Sequence, residues 1–259
     1  MASASFPAEW RDILLQRVPF YEQLQPDARA RFETKLVSFI AEQHFQSASL
    51  EITTEMKVVV AAAACRLTMN LDWHSYRRLA TISLRAEAWK KGDRLVAGLA
   101  DGIGVALCWP ELLAEFALPR RGHNVGYHEF AHALDGADGV FDGLAEGPPD
   151  AELYAHWSSI VAQARRRVVD AVAARRAPPI REYAGTNDSE LFAVATEYFF
   201  ERSNTLQRQL PELYDLLKKF YRQDPAVETP SDVVIKIERP TGLRRLAFDW
   251  DFDDEGVDG

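Results

Sequence analysis

His128 and His132 stand four residues apart with Glu129 beside the first, in the run Asn124-Val125-Gly126-Tyr127-His128-Glu129-Phe130-Ala131-His132-Ala133-Leu134-Asp135. No other stretch restricts the fold as strongly. On an α-helix, positions four apart lie about 40° apart around the axis, so both imidazoles point the same way and can grip one ion. Phe130, Ala131, Ala133 and Leu134 surround the polar residues, which predicts a buried helix. Buried ionisable groups are costly unless they are paired or bind a metal. Such a helix has to lie centrally, and a further ligand has to reach it from elsewhere in the chain. Zn²⁺ suits the pair, because it accepts imidazole nitrogen and, in catalytic sites, takes three protein ligands and a water. Glu129, about 100° round from His128, is placed beside that water rather than on the metal, the position of a general base.

The rest of the composition narrows the setting. With 259 residues and 47% hydrophobic content, the chain can bury a sizeable core. The longest apolar run, Val58–Cys65, falls well short of the roughly 18 residues needed to cross a bilayer. The start, Met1 to Pro7, lacks the basic and apolar regions of a secretory signal, so a cytoplasmic protein is expected. Cys65 and Cys108 each sit in an apolar stretch and read as reduced core residues. A net charge of −9 offers no footing for a polyanion, which argues against nucleic acid as a partner.

Read in order, the chain is helical in spacing from Pro7 to about Asn70, with Pro19 interrupting and Pro26 opening a second helix. Thr53 or Thr54 can cap a third, whose run from Met56 to Leu67 is apolar nearly all round. Leu79–Leu84 and Gly102–Trp109 read as strands, the second stopped by Pro110. Asn124 can cap the histidine helix, and His123 reads as a loop residue turned away from the pair. Leu153 to about Arg175 is helical, with Arg165-Arg166-Arg167 on a solvated face, and Asn187–Glu201 is helical again. The expected class is therefore α+β, mostly helical, with a small sheet beside the histidine helix. By fold-level analogy with zinc peptidases, the strand before that helix would run along the cleft and hold an extended substrate by its edge.

Three residues compete for the third ligand position. Asp138 occupies the last place of an HExxHxxGxxH-like pattern, but that pattern needs glycine where this chain has Asp135. Glu190 and Glu197 lie within about 20° of one line on the Asn187–Glu201 helix, together with Glu201. Glu190 also has a structural explanation, a capping box with Asn187 three residues before it. Glu197 could equally hydrogen-bond a ligating histidine. Geometry leaves the two close to even. Asp135, three past His132, is on the metal-facing side and can orient an imidazole.

The histidine-helix run, the Asp138-Gly139 and Asp142-Gly143 turns, Tyr183-Ala184, Glu190-Leu191-Phe192-Ala193-Val194, Glu197-Tyr198-Phe199-Phe200 and Phe220-Tyr221-Arg222-Gln223-Asp224-Pro225 together resemble the Mlc titration factor A family of zinc-dependent peptidases. The resemblance runs over roughly Leu14 to Pro225. It implies a zincin-like, gluzincin-like domain similar to the catalytic domain of anthrax lethal factor. One zinc per chain is then held by His128, His132 and Glu190, with Glu129 catalytic and Asp135 and Glu197 in support. Tyr183, seven residues before Glu190, matches a tyrosine that assists catalysis. Peptide or protein substrates and aminopeptidase-like activity are implied. So is the alternative of a regulatory protein that sequesters an Mlc-like repressor. The segment Trp89–Pro119 fits the family less well. Residues 1–225 read as one catalytic domain and 226–259 as an acidic-aromatic tail, expected to be solvated unless Phe248, Trp250 and Phe252 dock on the domain.

Overall fold

The computed structural model describes residues 6–71, 73–119, 121–140, 142–143 and 151–228. The run Val233-Val234-Ile235-Lys236-Ile237, whose β-branched residues could make one short strand, and the docking of Phe248, Trp250 and Phe252 fall outside the described residues. Helices α1 (Ala8–Arg17), α2 (Pro19–Gln23) and α3 (Pro26–Glu42) open the chain, with Pro19 and Pro26 in first turns, where the missing N–H costs nothing. Helix α3 turns Phe32, Leu36 and Phe39 inward at helical spacing. After β1 (His44–Gln46), Thr53 caps α4 (Thr54–Thr68) by accepting from the Met56 N–H at 3.2 Å. Every residue of α4 from Val58 to Thr68 is buried, which makes it the axle of the core. It packs on α1, α3 and the histidine helix.

Strands β2 (Thr81–Arg85), β3 (Trp89–Lys91), β4 (Arg94–Val96), β5 (Gly98–Ala100) and β6 (Gly104–Cys108) follow. The main sheet has the order β1-β2-β6-β5, with β1, β2 and β6 parallel and β5 antiparallel to β6. Strands β3 and β4 form a separate antiparallel ribbon. The two long expected strands are β2 and β6, with Ile82, Leu84, Val105 and Leu107 buried in alternation. Trp109, expected to end the second strand, instead opens α5 (Trp109–Ala117), because Pro110 is as acceptable in a helix's first turn as it is forbidding to a strand.

One expectation shifts by a strand. The strand ending at Cys108 is interior, flanked by β2 and β5, so its edges are taken. The edge is β5. Cys108 N–H donates to Ala97 C=O at 2.7 Å and Asp101 N–H to Gly104 C=O at 3.1 Å. Antiparallel alternation then turns the N–H and C=O of Gly98 and Ala100 away from β6. Among the described residues no strand pairs with that outer edge.

Helix α6 (Val125–Asp135) is the histidine helix and packs on α4, β5, β6 and α8. Helices α7 (Ala151–Ala173), α8 (Asp188–Glu201), α9 (Ser203–Gln209), α10 (Pro211–Tyr221) and α11 (Pro225–Glu228) complete the domain. Arg165 of α7 pairs with Asp188 at 2.5 Å, so this member of the basic run ties α7 to the start of α8 rather than only facing solvent. Cys65 and Cys108 are both free and buried. Among the described residues, no helix is long and apolar enough to cross a membrane.

Candidate metal centre

Asn124 caps α6, its side chain accepting from the Tyr127 N–H at 3.0 Å. Gly126 lets the helix sit deep: a Cβ there would lie 2.7 Å from Leu112 Cδ1 and 2.8 Å from the Ala63 Cβ. With α6 seated, His128 and His132 present their Nε2 atoms to the first turn of α8, where Glu190 stands. The Nε2 atoms are 3.2 Å apart, and Glu190 Oε2 is 3.2 Å from that of His128 and 3.3 Å from that of His132. These three side chains form the one group of potential metal ligands found among the described residues.

The capping explanation of Glu190 is half present. Asn187 accepts from the Glu190 N–H at 2.8 Å, but the Glu190 carboxylate is directed to the histidines. Capping uses the backbone of this residue and leaves its side chain for the cluster. Burial pushes the Glu190 carboxyl up, yet the two histidines outweigh it and hold it well below its ordinary value. Burial lowers His128 in turn, but Glu190 and Glu197 overcome this and raise it to about 10. Such an affinity for a proton reflects the negative charge gathered around the rings, the same charge that attracts a cation.

Glu197 reaches the other side of His128. Its Oε1 is 2.8 Å from His128 Nδ1, and its Oε2 accepts from the Asn124 N–H at 2.7 Å. Arg181 donates to the same Oε1. Although fully buried, Glu197 is held down to about 2, because Arg181 and His128 offset the cost of burial. The Nδ1 proton of His128 is thereby directed to Glu197, so the proton that a bound metal would displace is the one on Nε2. His132 is set by a relay. Its Nδ1 lies 3.0 Å from Ser189 Oγ, and Ser189 donates onward to Asp135 Oδ2 at 2.5 Å. Asp135, fully buried, also accepts from the Gly143 N–H at 2.8 Å. Asp135 thus acts on an imidazole through Ser189 and not directly.

Glu129 is 6% exposed, and burial raises its pKa against the downward pull of His128 and His132. It stands against β5: a Cβ on Gly98 would lie 2.4 Å from Glu129 Oε1 and 2.5 Å from its Cγ. The absent side chain at 98 is therefore the space that Glu129 occupies. Tyr183, in the 3₁₀ turn Glu182–Gly185, donates to Glu190 Oε1 at 3.0 Å, its ring centroid 6.1 Å from that of His128. Burial and then Glu190 push its hydroxyl pKa upward.

The remaining sequence candidates are elsewhere. Asp138 accepts from the Val140 N–H at 2.8 Å in the turn after α6, and His123 pairs with Glu115 of α5. Ser189, Arg181 and Gly98 are the participants that sequence reasoning missed. Serine beside a candidate ligand and arginine two before Tyr183 carry no pattern of their own. Glycine within Val96-Ala97-Gly98-Leu99-Ala100 was a signal of close backbone approach.

A mostly helical α+β domain whose buried helix and a later glutamate converge on one point is of the metallopeptidase kind. The chain belongs to the glucose-regulated metallo-peptidase M90 family, which it matches over residues 1–222. It is 33% identical over 237 residues to an uncharacterized protein of Synechocystis sp., spanning 85% of this chain and 86% of that one. It is 32% identical over 241 residues to the Mlc titration factor A of Yersinia pestis, spanning 86% and 87%. A shorter match, 33% over 125 residues, joins it to the Mlc titration factor A of Serratia proteamaculans, spanning 47% and 46%.

Proposed function

We propose that the protein is a zinc-dependent peptidase with aminopeptidase-like activity, its catalytic domain spanning residues 1–225 and holding one zinc through His128, His132 and Glu190. The observation that carries this reading is the ligand triangle, with edges of 3.2, 3.2 and 3.3 Å. Bonds of about 2.0–2.1 Å in a tetrahedron place ligand atoms about 3.3 Å apart, a spacing that supports this ligand set. Zinc supplies a Lewis acid that lowers the pKa of the hydrolytic water toward neutrality. Glu129, raised by burial and facing β5, takes the proton of that water and returns it to the leaving amine. Tyr183 exchanges its bond to Glu190 for one to the oxyanion as charge develops there. The outward N–H and C=O of Gly98 and Ala100 pair with the backbone of an extended peptide. Buried free cysteines suit a cytoplasmic protein.

The protein should purify with one zinc per chain and cleave short unblocked peptides, with cleavage lost on chelation and restored by zinc. Full activity in metal-free protein would defeat the reading. Tyr183→Phe should keep the zinc while turnover falls about 10²-fold, the effect of one lost oxyanion donor. A loss of zinc instead would make Tyr183 a support for Glu190. The similarity to proteins named Mlc titration factor A favours a second reading, in which the chain sequesters a transcriptional repressor. Zinc binding without cleavage of any peptide, together with capture of a purified Mlc-like repressor, would establish it.

Gly98→Ala tests the placement of Glu129 from the strand side. A methyl group there must push the carboxylate aside, because moving β5 instead would break its pairing with β6. Turnover should fall on the order of 10²-fold at unchanged zinc content, as expected for displacement of a reacting group by about 1 Å. Unchanged turnover would show that Glu129 works from another position.

A further inference from the structure

The β3–β4 ribbon has the opposite charge to the rest of the protein. Residues 85–94 carry Arg85, Lys90, Lys91 and Arg94 against Glu87 and Asp93, in a chain of net charge −9. The pairs Trp89↔Val96 and Lys91↔Arg94 put Trp89, Lys91, Arg94 and Val96 on one face, with Lys90 and Leu95 on the other. Arg85 lies over the Trp89 ring at 4.5 Å and fixes the root of the ribbon. Among the described residues neither Lys91 nor Arg94 has a carboxylate partner, and both are exposed.

The ribbon runs directly into the site. Arg94 is four residues before Gly98, whose side-chain direction meets Glu129, so its Cα lies within about 13 Å of that of Gly98. A bend at Ala97 joins the ribbon to β5. Arg94 is also near enough to Tyr183 for its charge to act on that side chain. A peptide paired antiparallel to the outer edge of β5 runs from Ala100 toward Gly98, and its C-terminal part continues toward Arg94.

We propose that Arg94, with Lys91 across the ribbon, binds a carboxylate of the peptide substrate on the C-terminal side of the scissile bond. This rests on the peptidase reading and adds a substrate class to it: short peptides bearing a negative charge within about four residues downstream of the cut, the span of chain from Gly98 to Arg94. The carboxylate is either the free C-terminus or an acidic side chain.

Zinc-loaded full-length protein is assayed with one short peptide in three forms: the free C-terminal acid, its amide, and the amide with Glu replacing Gln downstream of the cut. The wild type should prefer the acid to the plain amide about tenfold in kcat/KM, mainly through KM, as a charge-assisted contact allows. Arg94→Gln should bring the ratio close to one, and Arg94→Glu should invert it. If the Glu-bearing amide regains the advantage, an acidic side chain serves; if only the free acid has it, the C-terminus is read. Binding of the same peptides to Glu129→Gln protein, measured by calorimetry, should show the same order without turnover. Equal cleavage of acid and amide by the wild type, or a preference that survives both Arg94 variants, overturns the proposal and leaves the peptidase reading standing. Cleavage of none of the peptides overturns both.

Discussion

Glu129→Gln should leave one zinc per chain in place and lower peptide cleavage by about 10³-fold, within the range for loss of a general acid–base group. The substitution keeps the size and shape of the side chain, so it still fills the space left by Gly98. It removes only the basic oxygen. None of the three atoms of the ligand triangle belongs to Glu129, which is why metal content and turnover should separate. Metal analysis and steady-state kinetics on the same preparation make the comparison. Turnover equal to wild type would exclude Glu129 as the base. Loss of zinc would mean that the carboxylate supports the centre structurally.

Glu190→Ala should abolish stoichiometric zinc binding, whereas Glu197→Gln should weaken it about 10–100-fold, the usual cost of losing a partner that orients a ligating histidine. The two carboxylates touch the same imidazole from opposite sides. Glu190 lies 3.2 Å from His128 Nε2 and also 3.3 Å from His132, while Glu197 touches Nδ1 and is occupied by Asn124 and Arg181. One is placed to bind an ion and the other to aim a ring. Competition against a chromogenic chelator measures both variants. Equal losses, or a larger one for Glu197→Gln, would reverse the assignment.

That distinction could not be drawn from the helical spacing of Glu190 and Glu197, because seven residues bring a side chain back to nearly the same direction. What separates them is the line along which α8 crosses α6, a tertiary property. The histidine helix was legible because its apolar neighbours and four-residue spacing are local, and the same holds for the caps at Thr53, Asn124 and Asn187. Strands β1, β3, β4 and β5 were not. Each has three residues, too few for a period of two to show; β1 and β5 form against longer neighbours, and β3 and β4 against each other across a tight turn. The position of Asp135 three past His132 points it toward the pair, but the residue through which it reaches His132, Ser189, comes from a helix more than fifty positions later in the chain.

The imidazole of His128, held between Glu190 and Glu197, also limits how this protein can move. The backbone positions of the two glutamates are about 10.5 Å apart along α8, at 1.5 Å per residue, and their carboxylates converge on one ring from α6, held between them like a pin. A slip of one residue would rotate both away by about 100°, and a slip of one full turn would shift both by about 5.4 Å. Neither restores both contacts to the ring. The two helices are thus held in register, and on the peptidase reading any freedom to admit a peptide falls to the side of β5 and the charged ribbon, which carry no such pin.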